Sequence, residues 1–275
     1  MALCPLGLKM GLILDVGYCE SVAIPVYENV TILDCAQYAP YGGKLIHQRI
    51  LNELQQREAT IQYSTGGSLI RIVQEEEQSL TEDILEDIKV KHCFVAPFER
   101  GMHLAAAKVK STVPFTCDIN KPPPDELYSL SGKETLTIPG GLRESVCEIM
   151  FEMFGEEATI STLIIEAIQQ CPIDLRIALA SNIVVIGGGS MFPGFIPRLL
   201  SEIKTMSSNS VRYSKLSYSD KFAIHKLPCS ANYVSWLGAS IFATPERVTL
   251  SALSKKQYLS GKRITDWSDC SLSRI

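Results

Sequence analysis

The chain has 275 residues, 46% of them hydrophobic and 20% charged, enough for one large or two ordinary globular units and too apolar for a disordered chain. A net charge of −4 with no extended basic run argues against a nucleic-acid binder, which carries a basic face. No stretch approaches the ~18 apolar residues of a membrane span, so no membrane insertion is expected.

The opening MALCPLGLKMGLILDVG is apolar but lacks a basic leader and a small-residue cleavage site, so it is not read as a signal peptide. So abrupt a start on a core strand predicts that an N-terminal part of the fold is absent. GLILD reads as a strand ending at Asp15, DVGYCES as a turn, SVAIPVYE as the return strand and NVTILD as a third. Pro25 suits a strand edge or bulge. A helix follows from Gly43 to Arg57, with Leu45, Ile46, Ile50, Leu51 and Leu54 on one face. TIQYSTGGSLIRIVQEEEQ reads as an irregular polar excursion, with Glu75 to Glu77 a solvated surface. A second helix is predicted from Ser79 through LTEDILEDIKVKHCFV, capped by Ser79 and Glu82, with Ile84, Leu85 and Ile88 inward. Three consecutive prolines, Pro122 to Pro124, mark residues 105–136 as an exposed loop.

TLTIPGG gives a short strand and turn before a helix from Leu142 to Phe154. ISTLIIEAIQQ reads as an amphipathic helix stopped at Cys171-Pro172, and CPIDLRIALASN as a short helical turn. IVVIGGGSMFPGF is a buried strand entering a glycine turn, followed by a helix from Ile196 to Lys204. SSNSVRYS is a flexible connection, SANYVSWLGASIFAT enters an apolar helix, and a polar tail follows Ser251. Strands alternating with helices indicate a layered α/β architecture. The nine cysteines are scattered, with no CxxC and no zinc spacing, and read as mostly buried, reduced thiols in a cytosolic protein.

The chemistry concentrates at two turns that end apolar strands. Gly187, Gly188 and Gly189 remove every Cβ where the chain turns, so a flat or anionic ligand could approach the backbone. The bland alternative is a tight strand-to-helix turn with no ligand. The motif is neither GxGxxG nor a P-loop. Likewise Asp15 could be a turn residue bonding its own backbone, and Lys89 a solvated lysine on a helix face.

The order DxG turn, EDIKxKxCFVA helix, VVIGGxSMxPGxxxRL and YxxWLGASI resembles the actin and actin-related protein family, from Gly11 to Trp267. The tail SKKQYLSGKR is similar to the end of actin. That resemblance implies the actin-like fold of the actin, sugar kinase and Hsp70 superfamily, incomplete and consisting mainly of the second large lobe. Residues 10–41 and 134–236 would form subdomain 3, residues 42–133 subdomain 4, and residues 237–275 a remnant of subdomain 1. The first phosphate loop and the rest of the N-terminal half would precede residue 1.

The family's nucleotide cleft would be lined by Asp15, Gly17, Lys89, Gly187, Gly188, Gly189, Ser190, Met191 and Phe192. Several departures from the family pattern degrade it. Tyr18 stands where actin has an aspartate and Cys19 where it has a glycine, and Val22 replaces the histidine that orders the attacking water. Glu86, Val90 and Asn232 replace residues near the base and ribose. No catalytic residue or metal ligand is therefore expected, and no cofactor in this chain, although ATP or ADP would suit a full-length member. Within the family, the blocks look most like the divergent member at the pointed end of dynactin. The implied role is a non-enzymatic cap on an actin-like filament, supporting dynein-driven transport along microtubules in the cytoplasm and cytoskeleton. Implied partners are actin-related protein 1 and actin, the dynactin subunits p62, p25 and p27, and, indirectly, dynein. The alternative is an ATP-binding, filament-forming or chromatin-remodelling actin-related ATPase.

Overall fold

The computed structural model describes residues 1–63, 70–73, 80–109, 121–152, 159–209, 213, 220–246, 249 and 252–264. Two sheets organise them. The first runs β3 (Val30–Thr31), β2 (Ser21–Tyr27), β1 (Gly11–Val16), β9 (Ile183–Ile186), with β4 (Gln37–Ala39) also on β2. β1 and β2 are antiparallel, whereas β1 and β9 are parallel, Leu12 opposite Ile183 and Asp15 opposite Ile186.

Both faces of this sheet are buried. Leu12, Leu14 and Val16 enter the main core with the helix α5 (Ile160–Gln170). Ile13, Val26, Val184 and Ile186 pack on the other face with Ala2, Leu3 and Val234. Two-sided burial explains why the β1 and β9 segments read as continuous apolar runs. Pro25 lies in β2 between the stretch paired with β4 and the stretch paired with β3. Its carbonyl accepts from Ile32 N at 2.9 Å, so its donor-less nitrogen faces the same gap. The predicted third strand is short: after Thr31 the chain turns into a 3-10 segment, Leu33–Cys35.

The second sheet is antiparallel, in the order β6 (Ile70–Ile72), β5 (Thr60–Tyr63), β8 (Glu134–Ile138), β7 (Glu126–Ser131). Ile61, Leu136 and Ile138 are fully buried in the same core as Ile46, Ile50 and Leu54 of α1 (Gly43–Gln56) and Ile88 of α2 (Glu82–His92). Two sequence expectations fail here. The polar excursion contains β5 and β6, and the proline-marked loop contains β7 and the start of β8. Ile61 and Leu136, opposite one another across β5 and β8, supply the buried pair that organises this sheet. Pro122 to Pro124 do lie in coil, but anchored: Arg143 donates to the Pro124 carbonyl at 3.0 Å and Gly140 N to Asp125 Oδ1 at 2.7 Å.

Helix boundaries also move. α2 begins at Glu82 with Thr81 at its N-cap and ends at His92, because Cys93 is extended; Ser79 and Glu75 to Glu77 lie outside the described residues. α3 (Phe98–Val109) occupies a stretch for which no helix is predicted. The helix expected from Leu142 to Phe154 is a short α4 (Gly140–Ser145) continued by a 3-10 segment, Val146–Met150. α5, capped by Thr159 through Thr162 N, is buried nearly all round rather than on one face. α6 (Ile173–Ser181) is a full helix, and α7 (Phe195–Asn209) extends into the expected flexible connection. α8 (Val234–Phe242) carries Trp236 with 69% of its surface exposed. A short α9 (Lys255–Leu259) has a capping box between Ser254 and Gln257.

The segment 143–148 binds the two sheets' surroundings through buried charge. Glu53 of α1 accepts from Arg49, Arg57 and the Ser145 hydroxyl at 2.8–3.0 Å. Arg100 of α3 pairs with Glu144, and Arg143 donates to the His92 carbonyl. Arg198 of α7, 3% exposed, reaches Glu148, Glu202 and the Ala96 carbonyl and lies 4.7 Å from the Phe151 ring centre. Among the described cysteines, Cys35, Cys93, Cys147 and Cys171 are buried, Cys4 and Cys229 half-buried and Cys19 exposed, all as free thiols.

Removing one partner of a buried ion pair strands the other. Arg198→Met is expected to cost about 3–5 kcal/mol in urea unfolding, because Glu148 remains uncompensated. Burial would raise the Glu53 carboxyl, but the Ser145 and Arg57 hydrogen bonds and the nearby arginine charges outweigh it and hold the pKa below the usual 4.5. A depressed carboxyl stabilises the fold above its unfolded value and loses that contribution as pH falls through the folded value. Glu53→Gln should therefore lower stability near neutral pH by about 1–3 kcal/mol. The difference from wild type should shrink below pH 4.5, read as unfolding midpoints across that range.

Candidate functional site

Parallel pairing of β1 and β9 carries both turns to the same sheet end, the place where open α/β sheets receive ligands. Gly187 leaves β9 with φ +91°, a left-handed conformation; a Cβ there would lie 2.3 Å from the Val16 carbonyl oxygen and 2.6 Å from Asp15 Oδ1. A Cβ on Gly189 would meet Val16 Cγ1 at 2.5 Å, whereas one on Gly188 would meet nothing within 4 Å. The turn is tied down by Gly187 N donating to the Ala231 carbonyl and by the Ser190 hydroxyl donating to the Gly187 carbonyl at 2.8 Å. Two of its glycines thus serve close backbone approach, and only Gly188 faces open space.

Asp15 and Val16 meet Gly187 and Gly189, whereas Gly17 bonds Glu20 and Gly43. Met191 is half exposed beside them, Ser190 is buried within the turn, and Phe192 belongs to the hydrophobic core rather than to a ligand surface. Burial raises the Asp15 carboxyl above its ordinary value, and the carboxylate has no hydrogen-bond or ion-pair partner among the described residues. Directly across the strand pair, on the same face, stands Val22.

Lys89 belongs to a second cluster. Its ammonium, 8% exposed with its residue, bonds Glu86 Oε2, which also bonds His47 Nε2 at 2.9 Å. The Tyr18 ring stands edge-on to His47, with centres 5.7 Å apart, and its hydroxyl donates to Glu82 at 3.0 Å. At the start of α1, the Gly43 and Lys44 amides are taken by the Gly17 and Tyr18 carbonyls. Sequence reasoning missed Glu82 and His47. The signal was the spacing of Glu82, Glu86 and Lys89, which puts all three on one helical face; His47 is near them only through tertiary packing.

A nucleotide's fit to these residues divides. The glycine turn, bare at Gly188, suits a flat group against its backbone. The side around α2 does not suit an anion: Lys89 is neutralised by Glu86, the Gly43 and Lys44 amides are spent, and Glu82 adds negative charge. Among the described residues no His, Cys, Asp or Glu cluster could hold a metal. A cavity of about 530 Å³ lies elsewhere, between Leu3, Leu8, Ile13, Val26, Ile241 and Phe242. No described helix is long and apolar enough to cross a membrane.

The glycines make contrasting predictions. Gly187→Ala forces a side chain onto left-handed backbone and into Val16, and should cost about 2–3 kcal/mol. Gly188→Ala should stay within about 0.5 kcal/mol. Denaturant midpoints measured side by side check the contrast.

The sequence pattern of the family described as Actin matches residues 5–264. The chain is 25% identical to actin-related protein 10 of Dictyostelium discoideum, covering 90% of this chain and 55% of that protein. It is 28% identical to actin-related protein 3 of Caenorhabditis elegans, covering 90% and 56%. Against centractin of Schizosaccharomyces pombe the identity is 26%, covering 92% and 58%. The chain thus spans little more than half the length of these relatives. With two strand-end turns on one sheet edge and a family pattern running from residue 5 to residue 264, the chain belongs to the actin family.

Proposed function

We propose that this chain serves as a non-enzymatic assembly subunit of an actin-like filament, of the kind that caps the pointed end in dynactin. The observation that carries the reading is Val22 opposite Asp15. In-line attack on a phosphoryl group depends on a residue that orients the nucleophilic water. The side chain facing the Asp15 carboxylate is a hydrocarbon, which neither donates nor accepts a hydrogen bond. Similarity to actin-related protein 10 and to centractin supports a place among cytoskeletal actin relatives. On this reading its partners are actin-related protein 1, actin and the dynactin subunits p62, p25 and p27, with dynein reached indirectly, and it works in the cytoplasm without a bound cofactor. Residues 10–41 with 134–236, 42–133 and 237–275 would then correspond to actin subdomains 3, 4 and part of 1.

Tagged protein expressed in cells should copurify with p62, p25, p27 and actin-related protein 1, and purified protein with magnesium-ATP should release no phosphate above a no-protein blank. Steady phosphate release would sink the non-enzymatic reading and favour an ATPase actin relative. Normal folding with none of these subunits recovered would sink the dynactin assignment.

A further inference from the structure

The contacts around Lys89 do more than spoil an anion site. Tyr18 projects from the β1–β2 turn and bonds Glu82 in the first turn of α2. One turn further on, Glu86 joins His47 of α1 to Lys89 of α2. A Cβ on Gly43 would lie 3.0 Å from the Tyr18 ring and 3.2 Å from the Lys89 ammonium, so ring and ammonium both border the start of α1. Three segments distant in sequence, the β1–β2 turn, α1 and α2, are therefore closed on one another by side chains of the protein alone.

The charges are arranged to favour this closed state. Burial would raise the Glu86 carboxyl, but the Lys89 and His47 contacts outweigh it and keep the carboxyl ionised. Burial and the Lys89 charge lower the pKa of His47, so the ring stays neutral over Tyr18. The His47 Nδ1 is buried without a partner, a cost retained at the centre of the cluster. A buried lysine with no counter-charge would be expensive, and Glu86 supplies the negative charge that an anion would otherwise have to provide.

We propose that Tyr18, Glu82, His47, Glu86 and Lys89 form an internal latch that holds α2 against the β1–β2 turn in place of a bound nucleotide. The closed arrangement is then independent of nucleotide. This deepens the non-enzymatic role and rests on it, since a subunit that must hold one shape gains from a cleft that no ligand has to fill.

Hydrogen exchange of the α2 amides in the whole chain tests the latch, with magnesium pyrophosphate and magnesium-ATP as probes. Wild-type α2 should be protected without ligand and gain nothing from millimolar amounts of either probe. Tyr18→Phe, a change at an exposed position that keeps the ring, should speed α2 exchange about fivefold by loss of one charge-assisted hydrogen bond. Glu86→Gln should do the same or more, and there pyrophosphate should restore protection by pairing with the freed Lys89. Protection of wild-type α2 that rises with either probe would overturn the proposal, as would unchanged exchange in Tyr18→Phe. Failure of pyrophosphate to protect Glu86→Gln would overturn the claim that the carboxylate stands in for an anion. Absence of dynactin subunits from a purification, by contrast, would count against the assembly role and leave this exchange pattern where it is.

Discussion

The parallel pairing of β1 with β9 is the constraint on which the molecule rests. Antiparallel neighbours need only a hairpin, but parallel strands need a long crossover, and nearly everything between residues 17 and 182 is inserted into this one. Among the described residues that insertion carries the second sheet and six α-helices, and still Asp15 must return to the level of Ile186. The backbone contact between Gly187 and Val16 is the tightest consequence, since it leaves no room for a side chain. A turn that resembles a ligand cradle is, at two of its three glycines, the joint that lets the strands end side by side.

Around that joint, apolar packing and buried charge divide the work. One hydrophobic core runs from Leu14 of the first sheet through α5 and Leu142 to Ile61 and Leu136 of the second. Such packing is strong but tolerant of sliding. Direction comes from the short segment where Arg143, Glu144, Ser145 and Glu148 each reach a different element. Buried ion pairs add little net stability over apolar packing, yet each is costly to mismatch. Here they fix how α1, α3 and α7 sit relative to α4.

The fold was legible wherever burial on two sides or a clean helical stripe forced the pattern: GLILD, IVVI, the α1 stripe and the stop at Cys171-Pro172 all form as read. It was illegible where long-range pairing decides. β5 and β6 are only four and three residues long, and it is β8, distant in sequence, that pairs β5 into the sheet. α3 was hidden by Gly101, a poor helix former. A Cβ there would lie 1.9 Å from the Arg198 guanidinium, so the residue answers to tertiary packing rather than helix propensity. The site shows the same division. The meeting of Asp15 with the glycine turn follows from two strand ends, and the loss of a water-orienting group was visible at Val22. The pairing of Lys89 with Glu86 could be read from their spacing, but the closing of His47 and Tyr18 around that helix face could not, because they come from other elements.

Pro25 has a consequence beyond its own strand. With no donor to offer, it splits the outer edge of the first sheet into β3 and β4, of two and three residues. An unbroken edge is a template on which any passing strand, including one from another copy, can add and grow into fibre. Interrupted in this way, that edge is a poor template for such addition.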